Sequence, residues 1–138
     1  MTPSLPRDFC SETNCAELNA FYKAHHYEGR MGPYDKGMSI RKSNKEIVAG
    51  LRALPANGSI RIRHVYTAPS FRGKGLAKRL LHLTSEQFQN TEISLICSPD
   101  LVRLYTQAGF QLDEPGNSIL TATEQKLLRS GQYRFMTK

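Results

Sequence analysis

The segment that most constrains this chain runs from Val65 to Ala77, where a strand-like run passes through a turn holding Gly73 and Gly75 into a helix-like run. Upstream, from Ser59 to Thr67, Ile60, Ile62 and His64 alternate with Arg61, Arg63 and Val65, the period of two expected of a strand. Downstream, Leu76, Ala77, Leu80, Leu81, Thr84 and Phe88 form the stripe of an amphipathic helix, with Lys74, Lys78, Arg79 and His82 on its other faces. Such a turn leaves backbone N–H groups unpaired at the helix start, where the helix dipole also favours negative charge. Glycine has no Cβ, so the main chain there can approach an oxygen-rich ligand such as a pyrophosphate.

Two familiar phosphate loops do not match. A P-loop needs Gly-x-x-x-x-Gly-Lys-Ser/Thr, whereas Gly75 here follows Lys74; a dinucleotide fingerprint needs a third small residue where Lys78 stands. Around this unit the remaining periodicities predict a helix starting at Thr13 or Asn14 and stopping near Gly29, then a loop holding Gly32-Pro33. Strands are predicted at Met38–Arg41 and Glu46–Leu54, with a turn at Asn57-Gly58 leading into the strand from Ser59. Beyond the central helix come a strand over Glu92–Cys97, a helix from Pro99-Asp100 to Gly109, a strand at Phe110–Leu112, a helix over Thr121–Arg129 and a last strand at Tyr133–Met136. The residues before Asn14 carry no strand pattern, so a first strand is expected to be short or absent.

At 138 residues the chain suits one domain, 1–138, with a core that needs neither disulfides nor metal. Cys10, Cys15 and Cys97 match neither a CxxC motif nor a zinc framework and read as free thiols. The adjacent His25 and His26 point in different directions on a helix, so no metal site is expected. No run approaches the ~18 apolar residues of a membrane span. The start, Met1 to Asp8, has no apolar core after a basic head, so a cytoplasmic protein with no membrane partner is expected. The net charge is +7, and between Glu46 and Glu86 there is no acid but there are seven cations: Arg52, Arg61, Arg63, Arg72, Lys74, Lys78 and Arg79. The excess therefore belongs to one central, patterned segment and not to a basic tail.

Arg72, Gly75 and Ala77 fill the Arg/Gln-x-x-Gly-x-Gly/Ala signature, and the segment resembles that of the GNAT superfamily of N-acetyltransferases. A second match supports it: Leu104-Tyr105-Thr106-Gln107-Ala108-Gly109-Phe110 resembles the Leu/Phe-Tyr-x-x-x-Gly-Phe end of that family's last main helix. The order of elements is also similar, with the likeness strongest from Glu46 to Leu112. The resemblance implies an α/β (α+β) domain with a mixed, mostly antiparallel central sheet, helices on both faces, and a splayed strand pair forming a cleft for CoA.

It further implies acetyl-CoA, or a related acyl-CoA, as cosubstrate, with acetyl transfer to a primary amine by direct attack in a ternary complex. The main chain of Val65, Tyr66 and Thr67 would pair with the pantetheine arm, and the N–H groups of Arg72, Gly73, Lys74, Gly75, Leu76 and Ala77 would receive the pyrophosphate. Lys74 and Lys78 can add charge-assisted contacts. Ser98 stands where many relatives have an Asn that contacts pantetheine. Tyr105 matches the family's proton donor to the departing thiolate. Many relatives carry a Glu base on the strand that corresponds to Ser59–Thr67; here that strand has no acid, and His64 is its one residue titrating near neutrality. The loop Glu28–Lys36, with Arg30, Tyr34 and Asp35, lies where relatives place acceptor-binding residues. A homodimer through the last strand is among the family's habits. The competing readings are a module that senses acyl-CoA without turnover, and a basic nucleic-acid binder, against which stand the few exposed-looking aromatics for stacking.

Overall fold

In the computed structural model, which describes residues 8–32, 34–56, 58–116 and 120–138, the first helix, α1, spans Cys15–Ala24. The Asn14 side chain caps it by accepting the Glu17 N–H at 2.8 Å. Pro33 and Asn57, each half of an expected turn, lie outside the described residues, as do residues 1–7. A first strand is present: β1 (Phe9–Thr13) pairs antiparallel with β2 (Lys36–Arg41) through Phe9 opposite Ile40. Its pairing, not its own hydrophobic pattern, makes it a strand.

α1 stops at Ala24, five residues short of the expected stop at Gly29, and the other elements appear in the predicted order, with ends shifted by up to three residues. They are β3 (Ile47–Ala56), β4 (Ser59–Thr67), α2 (Leu76–Gln87), β5 (Ile93–Cys97), α3 (Val102–Gln107), β6 (Gln111–Leu112), α4 (Ala122–Arg129) and β7 (Arg134–Thr137). Single turns of 3-10 helix at Pro69–Phe71 and Pro99–Leu101 lead towards α2 and into α3. α4 starts in a capping box, with the Thr121 hydroxyl accepting the Glu124 N–H and the Glu124 carboxylate accepting the Thr121 N–H.

The seven strands form one open sheet in the order β1-β2-β3-β4-β5-β7-β6, antiparallel throughout except for β4 beside β5. One face is covered by α2, whose Leu80 and Leu81 pack with Leu51, Ile60, Ile62 and Leu95. The opposite face receives α1, which places Leu18, Phe21 and Tyr22 with Met31, Ile47 and Ala68. A Cβ at Gly50 would lie 2.6 Å from Leu18, so glycine is what lets α1 sit this close to β3.

Two irregularities of β4 shape the molecule's main cleft. Gly50 pairs with Tyr66 and Arg52 with Arg63, so Leu51 alone faces both His64 and Val65. This is a β-bulge, with His64 in the left-handed region at φ 55°. The second irregularity is that β4 pairs with β5 only at Ile60–Ile93 and Arg61–Ser94. Beyond Arg61 the two parallel strands separate, and the β5-facing edge of β4 has no strand partner among the described residues.

Candidate active site

The opening between β4 and β5 continues as a cleft in two parts. One part, about 390 Å³, runs along Val65, Tyr66 and Thr67 to the turn at Arg72, Gly73 and Gly75 and the first residues of α2, with Leu104 and Tyr105 on the opposite wall. The other, about 650 Å³, is lined by Arg63, His64, Cys97, Ser98 and Tyr105, and by Tyr27, Glu124 and Tyr133. Val65, Leu101 and Tyr105 border both parts. The structure thus brings together nearly all the residues singled out in the sequence. Among the catalytic and cofactor-binding candidates Lys74 is the exception; it lies outside both walls and its ammonium sits over the Phe71 ring at 5.2 Å, and the loop residues Arg30, Tyr34 and Asp35 also line neither part.

Gly73 and Gly75 both take positive φ, 78° and 75°, a conformation that residues with a Cβ rarely adopt. The first α-helical bond runs from the Arg79 N–H to the Gly75 carbonyl. Among the described residues, the six N–H groups from Gly73 to Lys78 have no protein acceptor. A run of unpaired donors at the start of a 12-residue helix is a cradle for oxyanions. Arg72 does not belong to this run: its N–H donates to the Pro69 carbonyl at 3.3 Å, and its Nε to the Thr67 carbonyl at 3.0 Å. With its guanidinium over Tyr66, 5.2 Å from the ring centroid, Arg72 straps the turn to the end of β4. The sequence expectation included its N–H in the cradle; the observed run begins one residue later and extends to Lys78.

Tyr105 is 7% exposed and packs edge-on against Phe110 at 6.1 Å. Burial, with Cys97 and Tyr27 adding to it, holds its phenol above the usual tyrosine range, so it keeps its proton at neutral pH. No protein atom among the described residues bonds its hydroxyl, which leaves that donor for a ligand in the cleft. Cys97 is buried, and its thiol is likewise pushed up by burial and by Asp100, which suppresses the thiolate.

His64 stands between the edges of Tyr22 and Tyr27, with ring centroids at 6.2 and 6.0 Å. Its carbonyl accepts the Tyr22 hydroxyl at 2.6 Å, a bond that pins the bulge. Burial and then the charges of Arg52 and Arg63 push its imidazole down to about 4, so it is neutral at pH 7. Its Nδ1 is buried without a partner among the described residues. A Cβ at Gly29 would lie 2.8 Å from the His64 ring, so the backbone of the loop presses directly on it.

The central cations are largely neutralised by acids from distant parts of the chain. Arg52 meets Asp35 at 3.1 Å, Arg79 meets Asp8 at 2.6 Å, and Arg61 and Arg63 both meet Glu124, at 2.6 and 2.9 Å. What remains near the glycine turn is Arg72, Lys74 and Lys78. Asp35 is therefore a buried structural partner of Arg52, and Tyr34 is 85% exposed and lines neither part of the cleft. Among the described residues of the first helix and the loop after it, Tyr27 is the one that reaches the cleft wall. Sequence reasoning missed Glu124. Its one local signal is the capping box, and nothing local announces a partner on β4.

A family model described as an acetyltransferase (GNAT) domain matches residues 7–118, and the chain belongs to that family. Over 80 residues it is 35% identical to an uncharacterized N-acetyltransferase, ycf52, of Pyropia yezoensis, a stretch that covers 55% of this chain and 46% of the relative. The chain thus spans about half the length of that curated relative. Among solved structures, the GNAT family N-acetyltransferase YhbS of Escherichia coli, in complex with CoA, has a TM-score of 0.65 at 14% identity, covering 98% of this chain and 83% of its own. An acetyltransferase of the GNAT family from Staphylococcus aureus Mu50 gives 0.61 at 14%, with coverage of 94% and 96%. An acyl-CoA N-acyltransferase of Pseudomonas aeruginosa gives 0.61 at 17%, with 95% and 98%. At these identities the likeness is one of fold.

Proposed function

We propose that this chain is an N-acetyltransferase that passes the acetyl group of acetyl-CoA to a primary amine by direct attack in a ternary complex. The observation that carries the reading is the run of six N–H groups, Gly73 to Lys78, unpaired among the described residues and opening onto the unpaired edge of β4. These residues fit the cosubstrate. The cradle suits the pyrophosphate, Lys78 on the wall adds positive charge, and Val65, Tyr66 and Thr67 offer main-chain groups to the pantetheine arm as a missing strand would. Ser98, half-buried on the far wall, offers a hydroxyl to the same arm. Acetyl-CoA, when bound, supplies an activated thioester and a CoA thiolate as leaving group.

The remaining tasks fall to the protein's own groups. A backbone N–H at the β4 bulge near Val65 donates to the carbonyl oxygen where negative charge develops. Tyr105 donates from its buried hydroxyl to the departing sulfur. His64 stays neutral and accepts a hydrogen bond from water; at about 4 its proton affinity is too low for it to be the final acceptor from an ammonium of pKa roughly 10, so the amine loses its proton through water to solvent. The reading places the protein in the cytoplasm, in keeping with its three free thiols. The ion pairs that engage Arg52, Arg61, Arg63 and Arg79, leaving a single surplus charge among them, weigh against a nucleic-acid surface. Incubating the protein with acetyl-CoA and a panel of amines, amino acids and peptides while measuring free thiol tests the proposal. Amine-dependent thiol release supports it, and CoA binding without release for any amine favours a sensor.

A further inference from the structure

The acceptor end of the cleft carries an unbalanced charge. One carboxylate, Glu124, is shared by two guanidiniums: Oε2 takes Arg61 Nη1 at 2.6 Å and Oε1 takes Arg63 Nη2 at 2.9 Å, while Oε1 also accepts the Thr121 N–H at 3.0 Å. Arg61 is the inner partner, its side chain 2% exposed and its Nε donating to Ser94 Oγ at 2.7 Å. Arg63 is the outer one, 22% exposed on the cleft wall. Among the described residues, a single Glu124 oxygen is the one partner of the Arg63 guanidinium, so the rest of its donor fork has no protein acceptor, on a residue that lines the cleft. Across the sheet Arg63 stands opposite Arg52, which is already matched by Asp35. The surplus positive charge of the group therefore sits on Arg63.

This arrangement has a consequence for an amine acceptor. Glu124 is the one carboxylate lining this part of the cleft among the described residues, and its single negative charge is already shared by two guanidiniums, so it offers an ammonium no net counter-charge. A polycation would find no counter-charge here and would meet Arg63. A guanidinium with a free fork matches a carboxylate in geometry and charge, and is held in place by the carboxylate on its other side. Resting on the acetyl-transfer reading, we infer that the acceptor is an amine that also bears a carboxylate, such as an amino acid or a short peptide with a free C-terminus, and that Arg63 reads that carboxylate. Tyr27, Leu127 and Tyr133 on the surrounding wall leave room for an apolar or aromatic body between the two polar ends.

The test compares amino acids offered as free acids with the same compounds as carboxamides, together with spermidine. Thiol release and calorimetric binding to the CoA-loaded protein are both measured, for the wild type and for Arg63→Gln. The expected result is that free acids bind and react about 10- to 100-fold better than their amides, the margin of a charge-assisted bond, with spermidine poorest. Arg63→Gln is expected to erase the difference between acid and amide by raising KM for the acids, with CoA affinity unchanged. Equal use of acid and amide by the wild type, preference for spermidine, or an acid preference that survives Arg63→Gln would each overturn the inference. The wild-type comparison decides even if the variant fails to fold. Failure to bind CoA would instead sink the acetyl-transfer reading, whereas CoA binding without turnover of any acid overturns the acceptor assignment.

Discussion

Replacing Glu124 with Gln keeps the shape of the side chain, and an amide oxygen can still accept the Thr121 N–H, so the change isolates the negative charge. In the native protein that charge faces Arg61, at 2% side-chain exposure, and Arg63, at 22%, and is itself only 10% exposed. Removing one member of a buried ion pair typically costs about 3–5 kcal/mol, because the remaining charge stays desolvated. Since Arg63 borders the open cleft and water can reach it, the lower end applies, about 3 kcal/mol, which for a chain of this length is a fall in Tm of about 10 °C. Urea unfolding monitored by far-UV circular dichroism measures the difference, with an unchanged m-value required. Glu124→Gln combined with Arg61→Met should cost clearly less than the two single changes added together. A loss below about 1 kcal/mol, the range of an exposed pair, or strict additivity in the cycle, would refute the argument that this pair is buried and coupled. The pH dependence has a defined sign. Burial pushes the Glu124 carboxyl up, but the Thr121 N–H and the charges of Arg61 and Arg63 outweigh it and leave it below its ordinary 4.5. Its stabilising contribution is therefore present above 4.5 and lost as pH falls through the lower folded-state value, so wild type and Glu124→Gln should converge in strong acid.

The same geometry makes three further outcomes testable. His64, held at about 4 against an ordinary 6.5, makes the unfolded chain the better proton acceptor between those values, so stability should decline by roughly 1–2 kcal/mol, allowing for solvent screening, as pH falls from 6.5 to 4; a flat profile for wild type beside His64→Gln would contradict its burial. Tyr105→Phe should lower kcat about 100-fold while leaving CoA affinity within twofold, and an unchanged kcat in steady-state thiol release removes it from the donor role. Gly29→Ala should destabilise by about 1–3 kcal/mol in thermal unfolding, because the added Cβ would lie 2.6 Å from the Tyr27 ring and 2.8 Å from that of His64; a neutral result means that the loop yields.

The parts of this protein visible in its sequence are those whose cause is local. β4 occupies the predicted Ser59–Thr67, and α2 begins at Leu76, immediately after the Gly75 turn, because periodicity and glycine act within a few residues. What escaped depends on partners far along the chain. β1 has no strand pattern of its own and exists through β2. The alternation along β4 assigned its arginines no partner, yet Arg61 is 2% exposed because α4 brings Glu124 onto that face from 63 residues away. The same alternation hid the bulge at His64 and Val65, which only the register against Leu51 reveals. The charge excess was correctly placed in one segment, yet its meaning changed: four of the seven cations serve internal pairs, and the three that remain cluster by the glycine turn.

The central claim is that the unpaired N–H groups from Gly73 to Lys78 and the free edge of β4 hold CoA. Titrating CoA into ¹⁵N-labelled protein and monitoring backbone amide resonances tests it residue by residue. The largest shifts are expected at Gly73 through Lys78, then at Val65 to Thr67, with α4 and β1 little changed. Saturable binding that leaves the Gly73–Lys78 amides unmoved, or no binding at millimolar CoA, would contradict it.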